Sequence, residues 1–133
     1  MEFNHFLTSY MPNVNIGSKV HFENMLKESV LAEKCGYATV SIPEHHLINL
    51  LMMPSPLQMA VKIASITKKI NITTGIVVLP IHDMRTYAGE VTTADILTDG
   101  RLILGVGRGA FPWEMERLGT PIELSLIHIS EPT

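Results

Sequence analysis

The sequence predicts an α/β fold in which parallel strands are covered by helices. Three observations support this prediction: strand-like and helix-like segments alternate along the chain, the strand segments are almost entirely apolar, and ionisable residues follow three of them directly. Such alternation is typical of a parallel sheet with helical crossovers, and strands buried on both faces have continuous apolar sequences. The pattern leaves two architectures open, an open doubly wound sheet and the first half of a (β/α)8 barrel.

The first part of the chain predicts two strands with a helix between them. Residues 2–7 indicate a short strand. Ser18 is a suitable N-cap for a helix that runs to about Cys35, and Gly36 ends it. The apolar face of this helix is expected to contain Phe22, Leu26 and Val30, with Met25 beside them. Residues 38–42 indicate the second strand.

Two more helices and two more strands follow. Ser55 is a suitable N-cap, and Pro56 fits the first position of the second helix. Residues 70–79 are rich in Ile, Val and Thr and predict the third strand. Asp83 is expected to cap the third helix, and residues 102–106 predict the fourth strand. The apolar stripes of the two helices are Leu57, Ala60, Val61 and Ala64, and Tyr87, Val91, Ala94 and Leu97.

Composition excludes several classes of protein. Apolar residues make up 46% of the chain, so a core can form, and the net charge of −3 gives no basic patch for nucleic acid. The single cysteine, Cys35, excludes a disulfide framework and a cysteine zinc site. The sequence has neither a signal-peptide pattern nor an uninterrupted apolar stretch of membrane-spanning length. We therefore expect a cytoplasmic protein with no membrane contact.

The ionisable residues after the strands predict a shared site, because ligands bind where parallel strands end. They are Glu44, His45 and His46 after the second strand, His82 and Asp83 after the third, and Arg108 after the fourth. A histidine titrates near neutrality and is tuned by a neighbouring carboxylate, which suits proton transfer or ligand contact. A solvated loop at the rim is the alternative. Since adjacent side chains of an extended segment point in opposite directions, at most one of the two neighbouring histidines is expected to face a cavity.

A metal-dependent barrel hydrolase is a different class that these residues leave open. His45, His46 and Asp83 would be its ligands, with His82 as a further donor. This interpretation is the weaker one, because metal ligands need a spacing that lets them converge.

The segment "GVGRGA" predicts contact with an anion. Glycines let backbone amides approach a phosphate, and Arg108 adds a charged fork. Gly105, Gly107 and Ala110 also fit a loose dinucleotide fingerprint, which normally follows the first strand and not the fourth. A tight turn that requires glycine is the alternative.

The segments "MEFNHFLTSY", "PEHHLINLL", "NITTGIVVLPIHDMR" and "ADILTDGRLILGVGRGAF" together resemble bacterial luciferase-like flavin-dependent monooxygenases, over about residues 1–123. The resemblance implies the N-terminal half of a (β/α)8 TIM barrel, with about four parallel strands and three helices. It also implies that reduced FMN and O2 oxidise a small or aliphatic organic substrate. The implied partners are a flavin reductase that supplies the reduced FMN and, for the full-length parent, a second copy in a homodimer. A deazaflavin-dependent hydride-transfer enzyme of the same fold and a non-catalytic luciferase-like subunit are the alternatives within this resemblance.

The resemblance also implies roles for individual residues. His45 corresponds to the catalytic histidine and would assist proton transfer near the flavin, while Glu44 would lie beside the isoalloxazine ring. A non-proline cis peptide would fall between Gly75 and Ile76 at the end of the third strand, among the cofactor-binding residues. Arg108 would contact the flavin phosphate. Gly107 stands where light-emitting members have a reactive cysteine, which counts against light emission.

The last ten residues, 124–133, break the pattern. "LSLIHISEPT" matches, codon by codon, the translation of a transposase-type sequencing adapter, CTG TCT CTT ATA CAC ATC TCC GAG CCC ACG. We therefore expect a partial barrel domain over residues 1–123 and an artefact tail over residues 124–133, with the natural protein continuing past Glu123. The isolated fragment is expected to be marginally stable or prone to aggregation, because its fourth strand would have an unpaired edge. It is also expected to be inactive, because it lacks the contribution of the second half to the cavity.

Overall fold

The structure, a computed structural model, describes residues 1–120 and residue 123. The helices are α1 Ser18–Lys34, α2 Pro56–Ile66, α3 Met84–Leu97 and α4 Pro112–Arg117. The strands are β1 Asn4–Phe6, β2 Thr39–Ile42, β3 Asn71–Thr74, β4 Val77–Val78, β5 Leu102–Ile103 and β6 Val106–Gly107. Short 3-10 helices lie at Val14–Ile16 and Leu79–Ile81. The segment 124–133, with its predicted adapter origin, lies outside the described residues.

The strands form a parallel sheet in the order β1-β2-β3-β5, and β4 pairs in parallel with β6. The register aligns Val40 with His5 on one side and with Ile72 on the other, and Ile72 with Leu102. Each strand therefore lies beside the strand of the preceding strand–helix unit, with helices covering one face. This is the arrangement of the first units of a (β/α)8 barrel, and it confirms the predicted fold class.

The third and fourth predicted strands are each divided in two. The peptide bond between Gly75 and Ile76 is cis, at the position that the resemblance implied. Opposite it, the amide of Gly105 donates to the hydroxyl of Thr74 at 2.9 Å, and the same hydroxyl donates to the Gly105 carbonyl at 2.8 Å. The side chain thus takes the place of a backbone ladder at this point. A Cβ at residue 105 would lie 2.1 Å from the Thr74 carbonyl oxygen, so the close approach of the two strands requires glycine.

The predicted start and face of α1 need correction. Gly17, with φ of 79°, occupies the N-cap position, and Ser18 is the first helical residue. The buried side chains are His21, Met25, Ser29 and Ala32. Phe22 and Leu26 are only partly buried at the edge of the core. The helix is therefore rotated relative to the predicted apolar face, and the small side chains of Ser29 and Ala32 are among those that it buries.

The helices α2 and α3 agree more closely with the prediction. Ser55 and Pro56 take the N-cap and first positions of α2, although the Ser55 side chain makes no capping hydrogen bond. Asp83 caps α3 as predicted, because its carboxylate accepts the amide proton of Arg85 at 3.0 Å. Leu57, Ala60 and Ala64 of α2 and Tyr87 and Ala94 of α3 are buried. Among the described residues, no helix combines the length and the apolar character needed to cross a bilayer.

Two charged side chains fasten the N-terminal ends of the strands. Glu33 accepts three backbone N–H groups, from Lys68, Lys69 and Ile70, at 2.8, 2.7 and 3.0 Å. Arg101 donates to the carbonyls of Ala64, Ile70 and Thr98 and to the Thr67 hydroxyl, at 2.8 to 3.3 Å. Both side chains therefore join the end of one helical unit to the beginning of the next strand.

The last strand segments have an open edge. Among the described residues, β5 pairs only with β3, and β6 only with β4. Ile103, Leu104 and Val106 keep 48%, 41% and 46% of their surface exposed. This edge is apolar, and an unpaired strand edge of this kind can accept another strand.

Candidate active site

A cavity of about 380 Å³ lies at the C-terminal ends of the strands. Its lining includes Glu44 and His45 after β2, Gly75 and Ile76 after β3, Arg108 after β6, and Phe111 and Glu114 next to α4. The volume falls within the range of small-molecule sites. Five of the six residues that the resemblance assigned to the site therefore line one cavity. Gly107 does not line it; a Cβ there would lie 2.3 Å from the Ile76 side chain.

Glu44 is buried, 3% exposed, and accepts three hydrogen bonds. The amide of Val78 donates to Oε2 at 2.6 Å, and the Nε2 atoms of His46 and His82 lie 2.9 and 2.8 Å from Oε1. Burial acts to raise the pKa of Glu44, but these hydrogen bonds outweigh burial and hold the pKa below its usual value. The hydrogen bond to Glu44 in turn raises the pKa of His46. A fixed, ionised acceptor therefore lies at this side of the cavity.

His45 faces the cavity, whereas His46 points to Glu44 and does not line it. This arrangement confirms that one of the two adjacent histidines faces the cavity. The backbone amide of His45 donates to the Met53 carbonyl at 2.9 Å, which fixes the main chain there. Its ring packs against Phe111 with centroids 5.5 Å apart. Its Nδ1 is buried without a hydrogen-bond partner and lies 3.6 Å from Oε2 of Glu114.

Glu114 is a site residue that sequence reasoning missed. It lies in the first turn of α4 and is 5% exposed. Its Oε1 accepts the backbone N–H of His46, so the carboxylate joins α4 to the loop after β2. An acid in a first helical turn usually indicates only a favourable interaction with the helix dipole. Its contact with residues almost seventy positions earlier depends on tertiary structure, and no local pattern signals it.

Arg108 is the cation of the cavity. It is exposed, and among the described residues no carboxylate lies within 4.0 Å of its guanidinium group. Backbone geometry explains two of the glycines around it. The close approach of two strands requires Gly105, and Gly109 has a φ of 88°, in the region that favours glycine. The segment continues into a helix of six residues and not into a long helix, which disagrees with a dinucleotide fingerprint.

The predicted metal ligands do not come together. The carboxylate of Asp83 is paired with Arg85 at 2.5 Å, and hydrogen bonds from Arg85 lower the pKa of Asp83 to about 2. His45 and His46 contact other groups. Within residues 1–120 and 123, no group of three or more His, Cys, Asp or Glu side chains is arranged to hold a metal ion.

A larger cavity, of about 810 Å³, lies between α2 and α3. Its lining combines apolar and polar side chains of these helices with Glu44 and His82. Tyr87 stacks on His82 with ring centroids 4.0 Å apart. Burial, followed by the charges of Glu44 and Glu90, raises the pKa of Tyr87. Neither His45 nor Arg108 lines this cavity, so the smaller cavity is the candidate active site.

Comparison with known proteins agrees with this geometry. A family model described as luciferase-like monooxygenase matches residues 1–131, including most of the segment assigned to an adapter. The oxygenase component of a flavin-dependent trigonelline monooxygenase from Acinetobacter baylyi is 33% identical over 97 residues, 73% of this chain and 27% of that protein. An alkanal monooxygenase alpha chain from Photorhabdus luminescens is 30% identical over 125 residues, 94% of this chain and 34% of that protein.

A solved structure shows the same fold. It is the oxygenating constituent of 3,6-diketocamphane monooxygenase from Pseudomonas putida, a type II Baeyer-Villiger monooxygenase, in complex with FMN. It superposes with a TM-score of 0.83 at 25% identity, over 90% of this chain and 32% of that chain. The present chain thus spans between about a quarter and a third of the length of these proteins, 27% to 34%.

Proposed function

The chain belongs to the luciferase-like monooxygenase family, and we propose that it forms the first part of an enzyme that uses reduced FMN and O2 to oxidise a small or aliphatic organic substrate. We also propose that the barrel domain is interrupted after residue 123. The natural reading frame would encode the complete barrel, which we call the uninterrupted protein. The family match supports the first proposal, and the coverage of only 27% to 34% of the relatives supports a longer natural protein.

The observation that carries the proposal is that His45 and Arg108 line the same cavity. A flavin mononucleotide has a flat ring system at one end and a phosphate at the other. The cavity offers the matching groups: a guanidinium without a carboxylate partner among the described residues, and an imidazole beside a fixed carboxylate. The residues present therefore fit this cofactor.

Each residue has a distinct part in this scheme. Arg108 would bind the phosphate through its charged fork. Gly75 and Ile76 would form part of the wall along the ring, with Glu44 beside them as a hydrogen-bond acceptor. His45 would hold or move a proton at the edge of the ring, since an imidazole exchanges protons near neutral pH. Bound reduced FMN would supply the electrons for the reaction with oxygen.

The proposed partners are a flavin reductase and a second copy of the chain. A relative is named as an oxygenase component, which supports delivery of reduced flavin by a separate protein. The homodimer rests on the family resemblance alone. The same resemblance includes enzymes that use a deazaflavin for hydride transfer, so cofactor choice is part of the test.

The decisive experiment replaces His45 by Ala in the uninterrupted protein. Turnover should fall by about 10²- to 10⁴-fold, the usual contribution of a general acid or base, while the affinity for FMN stays within a factor of three or so. His5→Ala is the matched control, because His5 lies on β1 and does not line the cavity. Unchanged turnover in the His45 variant would remove this residue from the mechanism. Titration with FMN and with a deazaflavin in parallel identifies the cofactor, and tighter binding of the deazaflavin would favour hydride transfer.

A further inference from the structure

The imidazole of His45 has one ring nitrogen without a partner. Nδ1 is buried and makes no hydrogen bond, although the side chain as a whole keeps 19% of its surface exposed on the cavity. A buried polar atom without a partner is costly, so its neighbour is informative. That neighbour is the Glu114 carboxylate, whose Oε2 lies 3.6 Å away. The distance is too long for a hydrogen bond, but contacts of this type often shorten when a site is loaded.

The Glu114 carboxylate has a second contact that fixes its orientation. Oε1 accepts the backbone N–H of His46, the residue that follows His45. One oxygen is therefore held by the main chain while the other faces Nδ1. The side chain is 7% exposed, so water has little access to it. On its other side, the His45 ring packs against Phe111.

We propose that Glu114 is the positioning residue of His45. Its carboxylate accepts the proton on Nδ1, which leaves Nε2 unprotonated at the cavity and able to accept a proton. A carboxylate next to an imidazole selects its tautomer and orientation in this way in many sites. The inference rests on the proposed function only in what His45 does at the cavity; the choice of tautomer is a property of the chain itself.

A carboxylate is required because both of its oxygens act as acceptors. In Glu114→Gln the side-chain oxygen can still accept the His46 amide, which preserves the link to α4. The NH2 group then faces Nδ1 and can only donate to it. The variant should therefore force the opposite tautomer, with the proton on Nε2, without removing the contact that supports the fold.

The test is ¹⁵N NMR of the His45 ring in the uninterrupted protein without flavin, well above neutral pH where imidazoles carry one proton. We expect a protonated Nδ1 and an unprotonated Nε2 in the wild type, and the reverse in Glu114→Gln. Glu116→Gln is the matched control, because Glu116 is an exposed acid two residues further along the same helix. It should leave the tautomer and turnover unchanged. A wild-type protein with the proton on Nε2 would overturn the proposal, whether or not the variant folds.

Turnover gives a second, independent test of the role of Glu114. Glu114→Gln should lower turnover by about 10- to 100-fold, the usual loss when a supporting residue is changed. In the His45→Ala background, the same substitution should have no further effect, because Glu114 acts through His45. Additive losses would contradict the proposal. If His45→Ala alone leaves turnover intact, the proposed function fails, while the tautomer result still decides the role of Glu114.

Discussion

The two ends of the parallel strands use charge in different ways. Arg101 and Arg108 flank the segment that contains β5 and β6, seven positions apart. Arg101, at the N-terminal end, makes four hydrogen bonds to protein oxygens. Arg108, at the C-terminal end, lines a cavity and has no carboxylate partner among the described residues. In barrels of this kind, the first end maintains stability and the second holds the active site.

The acids show a related contrast. Glu33 at the N-terminal end and Glu44 at the C-terminal end both accept backbone N–H groups, and both have a lowered pKa. The Glu33 carboxylate accepts hydrogen bonds from three successive backbone amides. Glu44 also forms hydrogen bonds with two histidine rings, and it lines two cavities. The comparison indicates that the same residue type supports the fold at one end and prepares a ligand site at the other.

The largest expected effect on stability is that of Arg101→Ala. The substitution removes the four hydrogen bonds that the guanidinium donates to the carbonyls of Ala64, Ile70 and Thr98 and to the Thr67 hydroxyl. It should lower the free energy of unfolding by roughly 2–4 kcal/mol, with FMN affinity unchanged in the protein that remains folded. Urea denaturation of the uninterrupted protein measures this. A loss similar to that of an ordinary surface substitution, below about 0.5 kcal/mol, would contradict the structural role.

Arg108→Ala should have the opposite effects: it should leave stability almost unchanged and weaken the binding of FMN. The free energy of unfolding should stay within about 0.5 kcal/mol of the wild type. FMN affinity should fall by roughly 10- to 100-fold, because a charge-assisted contact to the phosphate is lost. Fluorescence titration with FMN and with riboflavin, which has no phosphate, sharpens the comparison. Riboflavin affinity should be unaffected, and an equal loss for both ligands would place Arg108 elsewhere on the flavin.

Acidification should destabilise the protein through Glu33 at the N-terminal ends of the strands and through Glu44 at their C-terminal ends. The folded pKa of Glu33 and of Glu44 is below the ordinary value of 4.5, so their contribution is complete above that pH and is lost as pH falls through the folded pKa. Burial acts to raise each pKa, and hydrogen bonds to backbone amides and partner side chains more than offset it. Melting temperatures between about pH 7 and 3 should therefore fall less steeply in Glu33→Gln than in the wild type. If the melting temperatures of the two proteins fell in parallel with pH, the Glu33 carboxylate would make no contribution to the pH dependence of stability.

The smallest effect concerns His46. Its hydrogen bond to Glu44 raises its pKa above the ordinary value of 6.5. Its contribution to stability is therefore complete below that pH and is lost as pH rises through the folded pKa. The difference in melting temperature between wild type and His46→Gln should shrink on going from mildly acidic to alkaline solution. A difference that grows with pH would assign the opposite sign to the interaction.

The sequence predicted the fold class and predicted that Glu44, His45 and Arg108 would lie together, and the reasons are local. Alternating periodicity predicts parallel strands, and strand ends meet at one rim, so Glu44, His45 and Arg108 could be placed together in advance. The division of the third and fourth strands could not be predicted, because it depends on the Thr74 hydroxyl facing Gly105 across the sheet. The role of Glu114 was also hidden, since its partners lie in a loop far away along the chain.

The helix boundaries give the same lesson on a smaller scale. Asp83 was predicted correctly because a cap is a contact within a few residues. The buried face of α1 was not predicted correctly, because tertiary packing buries Ser29 and leaves Phe22 only partly buried at the edge of the core. Patterns of one helix report its own amphipathicity, whereas its rotation depends on the neighbours it contacts.

The open edge of β5 and β6 has a practical meaning. Ile103 and Val106 are exposed, and they lie on strands that each pair with one neighbouring strand among the described residues. A separately expressed second half of the barrel, beginning with the next strand, should therefore dock on this edge and rescue solubility when the two pieces are produced together. In such a split protein, tighter retention of flavin by the joined halves than by either piece alone would report their assembly.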